Sequence, residues 1–297
     1  MTTNIQVAAF TTAASAGMGI VRDRTLVPLS SYCSRESNLS SVLHAFYDDW
    51  GSGRLDLTTP RDAVFAVSEV VLQAPVRPGA KILCQVVNYR EHGAETAIAP
   101  PTRPFFFLRP DSSVIGPAQS ILMHNHSAAV DFEIELALVI TSRGRNIPSS
   151  EALRHVGALM VANDVSYRDL QFNKGHEELS VRFGTNWTHG KGLDGSCVLG
   201  PWLTLTPEED VLRPRRIQCS VNGRKRQDAL STSMIFDARR LVSAASMGMT
   251  LNPGDVILTG TPAGVGLSNG QYLQIDDVVQ SEIEGLGIVR NTVRPAN

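Results

Sequence analysis

Val130-Asp131-Phe132-Glu133-Ile134-Glu135-Leu136-Ala137-Leu138-Val139-Ile140 alternates with period two. An extended chain therefore carries Glu133 and Glu135 on one face, with Phe132, Ile134 and Leu136 on the other. A sheet face open to water should stay polar, yet Ala137 and Val139 continue the glutamate face as apolar residues. The strand reads as buried on both sides, with two carboxylates pointing the same way. Like charges that close raise each other's pKa, and a half-buried pair is costly unless a cation lies between them. Hard oxygen ligands suit Mg²⁺, Mn²⁺ or Ca²⁺. The competing reading is a solvated strand edge, the commoner meaning of an isolated Glu-x-Glu; the apolar flanks weaken it here.

Outward from this strand, Leu159-Met160-Val161-Ala162-Asn163-Asp164 is an apolar run that ends in a third carboxylate. Asp164 would emerge at a strand end, where ligands are commonly presented. Taken alone it could equally be an Asx turn or a helix N-cap. Arg168 and Gln171, three apart, share a face if their segment is helical, and such a face could hold a substrate oxyanion or carboxylate. Short β-branched and apolar runs at 5–10, 19–21, 81–87, 105–108, 136–140, 217–221 and 256–259 predict strands. Helical patterns are fewer: 39–47, 150–156 with Ser149 and Ser150 as capping residues, and 237–246 with Asp237 as cap. The class is β-rich α+β. Residues 1–75 read as a small N-terminal domain of two strands and a helix, and 76–297 as the catalytic domain, with the boundary in the proline-containing stretch 73–79.

Several function classes are disfavoured. The 27 Lys and Arg against 29 Asp and Glu give no broad electropositive surface for nucleic acid. No glycine-rich phosphate loop is present. Cys33, Cys84, Cys197 and Cys219 are scattered without a CxxC pair, which disfavours a zinc knuckle or a disulfide framework and fits a reducing, cytoplasmic setting. No basic leader and no run of about 18 apolar residues suggests secretion or membrane insertion. His124-Asn125-His126 could offer two imidazoles to zinc but has no third nitrogen or sulfur ligand nearby.

Several further blocks join the acidic strand. They are Asn88-Tyr89-Arg90-Glu91-His92-Gly93-Ala94-Glu95, Asn163 through Gln171, Gly190-Lys191-Gly192-Leu193-Asp194, Leu199-Gly200-Pro201-Trp202, Val221-Asn222-Gly223 and Pro253 through Gly266. In this order they resemble the fumarylacetoacetate hydrolase family over about residues 80–295. The resemblance implies a mixed β-sandwich roll, a Mg²⁺ or Mn²⁺ ion, a homodimer, and a small 2-oxo acid substrate. It places the metal on Glu133, Glu135 and Asp164, and the catalytic His-x-x-Glu dyad on His92 and Glu95. Gln171 and Lys191 fall on residues that steady the reacting oxygens, while Thr261, Arg168 and Tyr89 fall beside the substrate.

The reaction implied is hydrolysis of the carbon-carbon bond of an acylpyruvate-like 2,4-dioxo acid of the fumarylpyruvate type, through an enolate held on the metal. A decarboxylase or isomerase of the same fold is the alternative, and an inactive metal-binding scaffold a more distant one, since binding alone needs no base. Three departures bear on the substrate: a long segment between Gln171 and Lys191, Arg109 where Lys is common, and Asp276 where Gly is common. The stretch 172–188, long, polar and glycine-punctuated, is predicted to be a mobile lid. Cys84 and Cys197 read as small buried hydrophobes.

Overall fold

The alternating run lies inside a twelve-stranded mixed sheet in the computed structural model, which describes residues 5–34 and 38–296. Nine strands of this sheet carry the argument. They are β1 (Gln6–Thr11), β2 (Ala16–Arg22), β3 (Thr25–Ser34), β4 (Ile82–Gln85), β5 (Phe106–Arg109), β6 (Ile134–Ile140), β7 (Val156–Asp164), β8 (Cys197–Leu205) and β9 (Val256–Leu258). Their order is β3-β2-β1-β8-β7-β6-β9-β4-β5. After β5 the chain turns through Asp111–Ser113 into Val114–Ile115, which pairs parallel with the start of β8. The far edge thus returns to the middle, and the sheet curls into a roll.

The period-two reading of β6 explains how this roll is filled. Phe132, Ile134, Leu136, Leu138 and Ile140 join a core shared with a second, five-stranded sheet, to which Ile217, Cys219, Val279 and Val293 belong. Ala137 and Val139 face the opposite way, into a core with Ala158, Met160, Ala162, Cys84 and Cys197. Both faces are dry, as the apolar flanks required. A β-rich, mixed sandwich roll is therefore the observed class.

The N-terminal quarter hydrogen-bonds into the same sheet, because β1 pairs antiparallel with β8 at Gln6↔Thr204 and Val7↔Leu203. It holds three strands before its helix, where the sequence reading expects two. Pro28 obscures β3, since proline cannot donate to a ladder, and the β2–β3 register shifts beside the Gly19↔Pro28 pair. Helix α1 (Leu39–Gly51) runs longer than expected; Asn38 caps it by accepting the Ser41 N–H at 2.9 Å. Its Phe46 and Tyr47 close the inner core. The helix expected at 150–156 is one 3₁₀ turn, Ala152–His155, without a side-chain cap. β7 claims Val156 onward, so only a turn fits between the strands. A helix at Ala238–Ala245 has Asp237 as its cap, accepting from Arg240 N.

All four cysteines are free thiols, and burial pushes those of Cys197 and Cys219 up to about 12. Asp276 has φ +71, a left-handed conformation that glycine adopts without steric cost. Among the described residues no helix is long and apolar enough to cross a membrane.

Candidate active site

Glu133, Glu135 and Asp164 meet because β6 and β7 pair antiparallel from Ile134↔Asn163. Glu133 occupies the two-residue gap between the Val130–Asp131 strand and β6. Two bonds lock that gap: the Asp164 N–H donates to Glu133 O at 2.8 Å, and the Glu133 N–H donates to Asn163 Oδ1 at 2.9 Å. Glu135 then points into the roll beside Asp164, the last residue of β7. One carboxylate oxygen of each of the three lies within 4.8 Å of the others, and all three residues are buried. Oxygens bound to one ion at about 2.1–2.5 Å are at most about 4–5 Å apart. The donor set is all hard oxygen, so the triad fits a divalent Mg²⁺, Mn²⁺ or Ca²⁺ ion on both spacing and chemistry.

The charges around the triad are unevenly compensated. Arg168 donates through Nε to Asp131 Oδ2 at 2.9 Å, through Nη1 to Gln171 Oε1 at 3.0 Å, and through Nη2 to Glu133. Lys191 Nζ donates to Glu133 Oε2 at 2.6 Å, Asp164 Oδ2 at 2.5 Å and Asp164 O at 3.1 Å. Arg109, fully buried, donates to Asp164 and Ser196. Burial alone would raise the Glu133 pKa, but Arg168 and Lys191 outweigh it and hold the carboxyl at about 2. Glu135 behaves oppositely. Burial, then the charges of Asp164 and Glu133, push its pKa well above the ordinary value, and its one strong bond is the Gly260 N–H at 2.6 Å. Without a bound cation Glu135 is the uncompensated member of the set; an ion there relieves it.

The loop Gly260 to Leu267 is held by carboxylates along its length. Glu135 takes the Gly260 N–H; Glu95 takes the Gly264 N–H at 2.9 and 3.1 Å; Asp131 takes the Gly266 and Leu267 N–H groups at 2.6 and 2.9 Å. Gly260 and Gly264 have φ of +93 and +108, and a Cβ on Gly264 would lie 2.1 Å from Arg226 O. The backbone must come this close, so these positions need glycine.

Helix α2 (Arg90–Glu95) brings His92 to the cavity edge with Glu95 behind it, His92 Nδ1 lying 2.9 Å from Glu95 Oε1. Burial raises the Glu95 pKa, but the bonds from His92 and Gly264 outweigh it and hold the carboxyl below its usual range. With Nδ1 engaged by Glu95, Nε2 is the ring nitrogen left to exchange a proton with a ligand. Gln171 ends the short helix α3 (Arg168–Gln171). With its Oε1 taken by Arg168, its NH₂ has no protein partner among the described residues.

A cavity of about 630 Å³, part of it open to solvent, gathers His92, Glu133, Glu135, Asp164, Arg168, Gln171, Lys191 and Thr261 on its walls. Two expected residues are placed differently from their expected parts. Tyr89 does not line the cavity: it is 1 % exposed and its hydroxyl is unpartnered among the described residues. Arg168 lines it but is committed to two carboxylates. Thr261 is at the wall, its hydroxyl donating to Ile134 O and accepting from Gln227. Glu95 stands behind His92. His124 Nε2 lies 2.9 Å from Asp194 O, a backbone contact in place of a zinc site.

Sequence reasoning missed Asp131, Arg109, Asn163 and Gln227 as builders of the site. Asp131 had a readable signal, since it shares the period-two face with Glu133 and Glu135. Gln227, which bonds Ile134 N, Thr261 and Pro262 O, had none.

Comparison with known proteins agrees with this architecture. Residues 81–294 match the family described as fumarylacetoacetate (FAA) hydrolase, C-terminal. A fumarylacetoacetate hydrolase domain-containing protein 2 homolog of Dictyostelium discoideum is 32 % identical over 293 residues, 93 % of this chain and 92 % of that one. A Bos taurus protein named oxaloacetate tautomerase FAHD2A, mitochondrial, is 39 % identical over 230 residues, 76 % of this chain and 70 % of its own. The structure of a Pseudomonas aeruginosa fumarylpyruvate hydrolase in complex with Mn²⁺ and pyruvate superposes with TM-score 0.65 and 29 % identity, over 75 % of this chain and 91 % of that one. By the matched span and the full-length relationship, the chain belongs to the fumarylacetoacetate hydrolase family.

Proposed function

We propose that this protein is a divalent-metal-dependent hydrolase that cleaves an acylpyruvate between its third and fourth carbons. The balanced reaction is R–CO–CH₂–CO–COO⁻ + H₂O → R–COO⁻ + CH₃–CO–COO⁻ + H⁺. The observation that carries the reading is His92, on the wall of the cavity that holds the acidic triad and backed by Glu95. Glu133, Glu135 and Asp164 would hold Mg²⁺ (or Mn²⁺), and such an ion withdraws electrons from the 2-oxo acid head. His92 Nε2 takes a proton from water, whose oxygen adds to the fourth carbon. The Gln171 NH₂ donates to the oxygen that gains charge there, and the positive field of Lys191 steadies the oxygens beside the triad. When the bond breaks, its electron pair goes to the third carbon, which is then protonated. Thr261 and Arg168 border the substrate head.

A reducing, cytoplasmic setting is part of the proposal, resting on four scattered cysteines without a CxxC pair. A homodimer is part of the proposal. The test is a panel of acylpyruvates, fumarylpyruvate and oxaloacetate assayed with Mg²⁺, with products identified. Pyruvate plus a carboxylic acid supports hydrolysis. Enol–keto interconversion alone would overturn it in favour of the second reading, an isomerase or tautomerase using the same base. That reading is favoured by the 39 % identity to the protein named an oxaloacetate tautomerase. Carbon dioxide release from oxaloacetate alone would instead mark a decarboxylase.

A further inference from the structure

We infer that the outer part of the same cavity selects an uncharged, apolar acyl group and discriminates against a tail ending in a carboxylate. This rests on the proposal that a 2-oxo acid head binds at the triad. Beyond the head the walls are mostly apolar, with Phe107, Phe172, Trp187 and Leu267 among them and the polar Gln85, Thr96 and Thr185 interspersed. Their direction can be followed from the triad. Lys191 Nζ, bonded to Glu133 and Asp164, lies 5.5 Å from the Phe107 ring centroid; Trp187 stacks on Phe107 at 4.4 Å and 8°. An apolar platform therefore leads away from the chelating group.

A carboxylate tail needs a cation. Arg168 and Lys191 are the Arg and Lys residues on these walls, and each is already bound to two carboxylates. Lys191 has three N–H donors, and all three are in use. A tail carboxylate against Phe107 and Trp187 would be desolvated without a free Arg or Lys to pair with, whereas an alkyl or aryl tail gains by the same burial. Phe172, Thr185 and Trp187 all come from the 172–188 stretch after Gln171, which thus contributes much of this wall.

The test uses the metal-loaded protein and two inert ligands with one head and different tails, 2-oxohexanoate and 2-oxoadipate, titrated calorimetrically. The expected result is at least tenfold tighter binding of 2-oxohexanoate. Trp187→Ala should reduce that preference, and Thr185→Arg, which places a free cation on the wall, should shift it toward 2-oxoadipate. Equal or tighter binding of 2-oxoadipate by the unaltered protein overturns the inference, as does binding of neither acid. A preference for 2-oxohexanoate in a protein that hydrolyses no acylpyruvate sustains the inference and removes the proposed reaction, so the two fail separately.

Discussion

The two walls of the cavity are built by different physics. On the triad side, Asp131, Glu133, Glu135 and Asp164 face Arg109, Arg168 and Lys191, and every one of these side chains is nearly or fully buried. Their hydrogen bonds cross-link strand, loop and short helix. On the other side, the 172–188 segment carries helix α4 (Glu177–Phe183), which has no buried residue and exposes Val181 and Phe183 at 89 % and 76 %. Its bonds are mostly local, such as Asn173 Nδ2 to Ser180 Oγ. A dense buried ionic network has few alternative arrangements and holds chemical groups in place. A half-exposed segment with little burial opens at low cost and can adapt to a ligand. Fixed chemistry on one side and adjustable recognition on the other is the division this contrast suggests.

The sharpest way to break that division is to remove the cation. Exhaustive chelation should abolish turnover, and Mg²⁺ or Mn²⁺ should restore it and raise the melting temperature, because the ion binds the folded triad alone. Full activity after verified metal removal would falsify the assignment of the triad. His92→Ala should lower acylpyruvate hydrolysis by about 10²–10⁴-fold while metal content, measured by elemental analysis, stays unchanged. Side activity on oxaloacetate should fall less, since electron withdrawal at the 2-oxo acid does not depend on His92. A variant within a few-fold of wild type removes the base from His92.

Stability gives the next largest effects. Arg168→Met leaves Asp131 and Glu133 without their shared partner and should cost about 3–5 kcal/mol of unfolding free energy in urea. A loss below about 1 kcal/mol would mean the network is less rigid than its geometry suggests. At the other wall, Phe183→Ser should change stability by no more than about 0.5 kcal/mol. Trypsin should cut first after Lys174 or Arg182, and metal with a 2-oxo acid should protect both bonds. Equal cleavage with and without ligand would make this segment a passive surface loop.

How much of this was legible in the sequence differs between the same two walls. The strand Ile134–Ile140 was readable because period two is a local property, and Ala137 and Val139 disclosed burial on both faces. The His92–Glu95 contact was readable because residues three apart lie on neighbouring turns of one helix face. The platform of Phe107 on Trp187 was not: 80 positions separate the two rings, and nothing in either neighbourhood points to the other.

The sequence by itself determined the acidic face and the β-rich class, because each follows from spacing along single extended segments, and it left Asp164 open between a strand end, an Asx turn and a helix N-cap. Only the tertiary structure decided which charges compensate which. Asp131 receives amides from residues 135 and 136 positions away, and Arg109 reaches Asp164 across 55. Such partners are set by which strands lie side by side once the sheet has rolled, and electrostatic pairing in a buried space depends on distance through that fold and carries no trace of separation along the chain.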